Sequence, residues 1–167
     1  LWIDNNNGSC KGACARVDSI DIDTSKSNSL CDGEYCLDEA LLAPLQDKLN
    51  NLTAKNTLIV LHMMGSHGPT YYKRYPQEKT LFLPDCQRSD IQHCSEQQVI
   101  NTYDNTIAYT DFVLSEIISR LEKLESASTL KTSMLYISDH GESLGEKGVY
   151  LHGLPYAFAP EEQTHVA

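Results

Sequence analysis

Three short segments of this 167-residue chain carry side chains that could do chemistry together. In Leu135-Tyr136-Ile137-Ser138-Asp139-His140-Gly141-Glu142, an apolar run leads straight into a carboxylate and an imidazole. Successive strand side chains point to opposite faces, so Asp139 and His140 share a ligand only where the chain leaves the strand. Gly141 permits that departure. A carboxylate and an imidazole at the C-terminal edge of a parallel sheet are a reasonable pair of zinc ligands. An Asp capping a helix, with a His packed beside it, is the structural alternative. His62-Met63-Met64-Gly65-Ser66-His67-Gly68-Pro69 also follows an apolar run, with His62 at the strand end and His67 in the loop beyond. His152 comes twelve residues after His140, and a return loop of that length can bring it to the same rim. The expectation is that residues 62, 67, 139, 140 and 152 converge on one pocket at one edge of a sheet.

The elements that must position these groups are legible in outline. Leu37, Leu41, Leu42, Leu45, Leu49 and Leu52 recur at helical spacing, with Asp38 and Glu39 suited to the positive N-terminal end. Thr57–His62 reads as a buried strand, apolar on both faces as parallel strands are. Residues 63–94 form a long loop region that needs a function or a covalent tie. Ser95 and Gln98 have capping-box spacing and open a helix whose stripe is Val99, Tyr103, Ile107, Thr110, Leu114, Ile117, Leu121 and Leu124. Lys131–Ile137 reads as a second buried strand. This order predicts an α/β layer fold with a mostly parallel sheet and flanking helices. Tyr71-Tyr72-Lys73-Arg74-Tyr75-Pro76 sets aromatics beside cations, which suits a lipid–water interface. Tyrosines packed on the core would read the same way.

Thirteen basic residues against 23 acidic ones give a formal charge of −10, which argues against nucleic acid as a partner and against a polybasic membrane anchor. No apolar run reaches the roughly 18–20 residues that cross a bilayer. The opening at Leu1 without Met and the ending at Ala167 read as cut ends, as in a fragment. Six cysteines fall into close pairs: Cys10/Cys14, Cys31/Cys36 and Cys86/Cys94. Disulfides in an oxidising compartment fit that pattern. A structural zinc site from the first two pairs is the alternative, with only loosely zinc-like spacing.

Taken together, Ser138-Asp139-His140-Gly141-Glu142-Ser143-Leu144-Gly145-Glu146, Gly65-Ser66-His67-Gly68-Pro69 and Leu151-His152-Gly153-Leu154-Pro155 resemble the motifs of lipid A phosphoethanolamine transferases. That family includes the mobile colistin-resistance enzymes and belongs to the alkaline phosphatase superfamily, with a sulfatase-like fold. The resemblance extends over nearly the whole chain. It implies that residues 1–167 are part of a single periplasmic catalytic domain, on the periplasmic face of the bacterial inner membrane, binding one or two zinc ions. By position, Asp139 and His140 match catalytic zinc ligands. His67 and His152 match histidines that hold the donor phosphoryl group or a second zinc and assist the leaving group. His62, Lys11, Asn7 and Glu142 match groups near the ethanolamine phosphate, while Gly8 stands where some relatives have Ser. Phosphatidylethanolamine is the implied donor and a lipid A phosphate the acceptor, with polymyxin resistance as the consequence. The family's threonine nucleophile, a further glutamate ligand and the N-terminal transmembrane helices match nothing in this chain. The isolated fragment is therefore expected to be inactive. Another superfamily enzyme (a sulfatase or a phosphoglycerol transferase) and a non-catalytic metal- or lipid-binding fragment are the competing readings.

Overall fold

The computed structural model describes residues 1–6 and 10–166, and all of Lys11 except its side chain. Three short parallel strands form one sheet in the order β2-β1-β3: β1 is Trp2–Asp4, β2 Ser19–Asp21 and β3 Val60–His62. Asp4 pairs in register with His62, so β1 and β3 end together at one edge. The chain is a mixed α/β structure, as its sequence predicts.

A 3-10 turn at Asp38–Leu41 runs into helix α2, Leu42–Asn50, after the four-residue α1 at Lys11–Cys14. Its leucine stripe is the reason it folds here. Leu41, Leu42, Leu45 and Leu49 are buried with Ile3 of β1 and with Tyr109, Val113 and Ile117 of the long helix. That helix, α3, spans Glu96–Ala127 and starts with the capping box read from the sequence, Ser95 and Gln98 each serving the other's backbone N–H.

Its buried face departs from the apolar stripe. Ile107 is 47% exposed, while Asn101, Thr102, Asn105 and Thr106 are buried. The Asn105 side chain accepts the N–H groups of Leu81 and Phe82 and donates to the Phe82 carbonyl. The Thr102 hydroxyl accepts the Cys86 N–H, and Asn101 donates to the Pro84 carbonyl. The N-terminal half of α3 thus buries polar groups because a loop without its own ladder needs partners for its backbone. The 63–94 region is ordered by this means, by three 3-10 turns and by the Cys86–Cys94 disulfide. Cys10–Cys14 and Cys31–Cys36 are also bridged, which removes the structural-zinc alternative.

Two strand expectations are corrected. β3 covers only Val60–His62, its residues are half-buried, and Leu58 is 78% exposed. Residues 131–137 form no strand: Leu135 is 82% and Ile137 69% exposed. Apolar composition signals a preference for burial, but a strand needs a neighbour to accept its hydrogen bonds. Among the described residues none pairs with this segment. Two short strands, β4 at Ser143–Leu144 and β5 at Tyr150–Leu151, then make an antiparallel hairpin, and α4 closes the description at Glu161–Thr164.

Candidate active site

Beyond the shared end of β1 and β3 the chain is held by buried polar groups. Nδ1 of His62 lies 2.9 Å from Oδ1 of Asp4, which also receives the Asn6 N–H, and the Trp2 indole N–H donates to its Oδ2. Burial pushes the Asp4 carboxyl up, but these partners outweigh it and hold it below the ordinary carboxylate range. The next residues lean on Asp38. Its buried carboxylate accepts the N–H groups of Met64 and Gly65, each at 2.8 Å, and the Asn5 amide at 2.7 Å. Desolvation still prevails there and raises the Asp38 carboxyl.

Arg74 completes the support. Its guanidinium donates to the His67 carbonyl and to the Thr70 hydroxyl, both at 2.8 Å, and lies over the Tyr35 ring. It is 6% exposed, and that burial lowers its pKa. His67 Nδ1 lies 2.8 Å from the Gly68 carbonyl, which leaves Nε2 for a ligand. A cleft of about 340 Å³ opens here, lined by Asn5, Asn6, Tyr35, His67, Thr70 and Arg74 among others.

The β4–β5 hairpin brings the other imidazoles alongside. The His140 and His152 rings are 3.9 Å apart between centroids, and His67 stands edge-on to His152 at 5.4 Å. Glu142 holds His152: its Oε1 is 2.6 Å from Nδ1, while the Tyr71 hydroxyl donates to Oε2 at 2.8 Å. Burial, then the charge of Glu142, drives the Tyr71 phenol far up, so this hydroxyl remains a donor. Gly141 is required for space and not for its backbone freedom. A Cβ there would lie 2.0 Å from the Glu162 carbonyl oxygen of α4. Asp139 is different again, with a side chain 87% exposed and Oδ1 3.8 Å from His140 Nε2.

Of the five residues expected to converge, His67, His140 and His152 do so directly and Asp139 stands beside His140. His62 lies at the end of β3, facing Asp4 and Trp2. Glu142 joins the group from beneath. Asn7 and the side chain of Lys11 lie outside the described residues. Sequence reasoning missed Asp4, Asp38, Tyr71 and Arg74 as parts of the site. Asp38 looked like a helix-start residue, and the loop of Tyr71 and Arg74 like either a lipid-facing segment or an ordinary loop with tyrosines packed on the core. The second reading holds: Tyr71 and Tyr75 are core residues, and Lys73 pairs with Asp32 and Glu34. Only the tertiary contacts reveal these roles.

The donor atoms suit a metal ion. One ligand atom each of His140, Glu142 and His152 lies within 4.8 Å of the others, a grouping that could hold a metal ion, and with Glu142 bonded to Tyr71 and His152 the imidazole Nε2 atoms are the donors left for it. Asp139 lies outside this trio but beside the free ring nitrogen of His140.

Fold and site together define an α/β domain with a histidine–carboxylate centre beyond the C-terminal edge of its parallel sheet. The Sulfatase family profile matches residues 1–167, and the chain belongs to that family. It is 50% identical to phosphoethanolamine transferase EptA of Salmonella typhimurium over 167 residues, 99% of this chain and 30% of that protein. It is 42% identical to phosphatidylethanolamine transferase Mcr-1 of Escherichia coli over 172 residues, 99% of this chain and 31% of the relative. The Kdo(2)-lipid A phosphoethanolamine 7''-transferase of Escherichia coli is 36% identical over 129 residues, 77% of this chain and 21% of the relative. Among solved structures, the C-terminal periplasmic domain of EptC from Campylobacter jejuni matches with a TM-score of 0.85 at 50% identity, over 99% of this chain and 49% of that one. The integral membrane protein EptA from Neisseria meningitidis matches with a TM-score of 0.90 at 42% identity, over 99% and 30%. The chain thus spans less than a third of the length of these curated relatives. Among the described residues no helix is long and apolar enough to cross a membrane.

Proposed function

We propose that residues 1–167 are part of a single periplasmic catalytic domain, and that the full protein transfers phosphoethanolamine from phosphatidylethanolamine to a lipid A phosphate. The observation that carries this reading is the cluster of His67, His140, Glu142 and His152 in a chain half identical to a phosphoethanolamine transferase. Asp139 and His140 would hold the catalytic zinc, and His152 the phosphoryl group or a second zinc. When bound, zinc supplies positive charge against the phosphoryl oxygens and lowers the pKa of a hydroxyl nucleophile. That nucleophile is a threonine in this reading, and no threonine of this chain is assigned to it. His67 and His152 each engage Nδ1 with a protein oxygen and so direct Nε2 toward the ligand, where it binds phosphoryl charge or passes a proton to the leaving group. With a formal charge of −10 the chain repels anionic lipids overall, so attraction must be local, from the metal and the buried Arg74 beside the cleft.

The test is expression of the full-length protein in a bacterium whose lipid A is unmodified, with mass spectrometry of the extracted lipid A. The expected result is a phosphoethanolamine adduct that disappears with His152→Ala and with His67→Ala. A glycerol phosphate adduct, or sulfate release from a sulfate ester with no change in lipid A, would overturn the reading in favour of another activity of the family.

A further inference from the structure

We propose that Tyr71 is a positioning residue of this centre: its buried hydroxyl fixes Glu142, and through Glu142 sets the orientation of His152. The inference rests on the reading of His152 as a functional imidazole. Tyr71 is 1% exposed and belongs to a small core with Cys86, Ile91 and Val99. Its ring stands edge-on to Tyr103 of α3 at 5.6 Å and 89°. The ring is therefore held by the most regular element of the molecule, and the hydroxyl by the ring.

From that fixed point the contacts run outward in one line. Tyr71 Oη donates to Glu142 Oε2 at 2.8 Å, and Glu142 Oε1 lies 2.6 Å from His152 Nδ1. The Glu142 side chain is only 3% exposed. Among the described residues its two oxygens thus have one partner each, and neither is turned to solvent. A carboxylate with both oxygens engaged cannot rotate, so the imidazole it holds presents Nε2 in one direction. This is the outer-shell arrangement in which a carboxylate fixes the tautomer and angle of a ligating histidine.

The same hydroxyl meets the opposite loop. A Cβ on Gly68 would lie 2.7 Å from Tyr71 Oη and 2.7 Å from Leu151 Cδ2. Gly68 follows His67 and Leu151 precedes His152, so one side chain sets the separation of the two histidine loops. The 3-10 turn at Tyr71–Lys73, for which the sequence left a lipid-facing loop and core-packed tyrosines both open, serves as the spacer between them.

The experiment compares Tyr71→Phe with the wild type in the full-length protein, alone and in a Glu142→Ala background. Phenylalanine keeps the ring packing and removes only the donor. Expected are a fall in kcat on the order of 10–100-fold with donor KM changed less than about threefold, and a 10–100-fold loss of zinc affinity in chelator competition. In the Glu142→Ala background the same substitution should cost less than about twofold, because the group it orients is gone. Gly68→Ala, whose Cβ pushes on the hydroxyl from beside His67, should lower kcat in the same way. Wild-type kcat and zinc affinity in Tyr71→Phe would overturn the proposal, as would an equal loss with and without Glu142. If the wild type fails to modify lipid A, the transferase reading falls, while the zinc affinities still decide the role of Tyr71.

Discussion

The segments that carry His67 and His140 are fixed by different means. The loop that carries His67 is held from a distance: Asp38 takes the N–H groups of Met64 and Gly65, Arg74 takes the His67 carbonyl, and Thr106 Oγ1 lies 2.6 Å from Ser66 Oγ. Asp38 and Thr106 come from elements distant in the chain and Arg74 from the same loop, and all three are buried. The segment that carries Asp139 and His140 is held mostly by its own neighbours. Ser138 donates to the His140 carbonyl, the His140 N–H to Asp139, and His140 Nδ1 lies 2.8 Å from the Gly141 carbonyl. Its longer reach is the Gly141 N–H to the Gln163 carbonyl. One imidazole is thus preorganised by the body of the fold, and the other by local turns and one contact with α4. Buried long-range bonds cost more to lose than local ones, because the orphaned groups cannot turn to water.

That contrast orders the expected effects of substitution. Asp38→Ala should be the most damaging, since it strands two backbone N–H groups in a buried place and removes one of the two acceptors of the Asn5 amide. A loss of roughly 3 kcal/mol or more is expected, read as a drop of several degrees in the melting temperature of the full-length protein, with the His67-dependent activity abolished. Gly141→Ala comes next. Its Cβ must displace the backbone of α4, and overpacking of this kind costs about 1–3 kcal/mol. If it left stability unchanged, α4 would not be the anchor of the Asp139–His140 segment. Arg74→Lys keeps the charge but loses the fork that reaches both His67 and Thr70. About a tenfold fall in kcat is expected, measured by lipid A modification over time, with a melting temperature lowered less than by Asp38→Ala. Lys73→Ala should do least. Its partners Asp32 and Glu34 are half or more exposed, so stability should shift by less than about 0.5 kcal/mol in chemical denaturation and vesicle binding should not change. A larger loss of vesicle binding would restore the lipid-interface role for that loop.

Local signals were legible in the sequence. The capping box at Ser95, the leucine stripe of α2 and the cysteine pairs each depend on residues close together in the chain, and each is present. The strand at 131–137 was not legible correctly, because a strand is completed by neighbours that a run of apolar residues does not name. The buried face of α3 misled for a related reason. An apolar stripe locates fatty contacts, whereas Asn105 and Thr102 are inside to serve the backbone of a loop some twenty residues away.

By itself the sequence determined which side chains could do chemistry: imidazoles and carboxylates that follow apolar runs, in an order and spacing that match one enzyme family. Tertiary structure alone decided their division of labour. It turned Glu142 inward between Tyr71 and His152, left Asp139 in solvent, and set His62 against Asp4. The reason is that a side chain's type is carried by one residue, while its direction and its partners are set by whatever the fold packs against it.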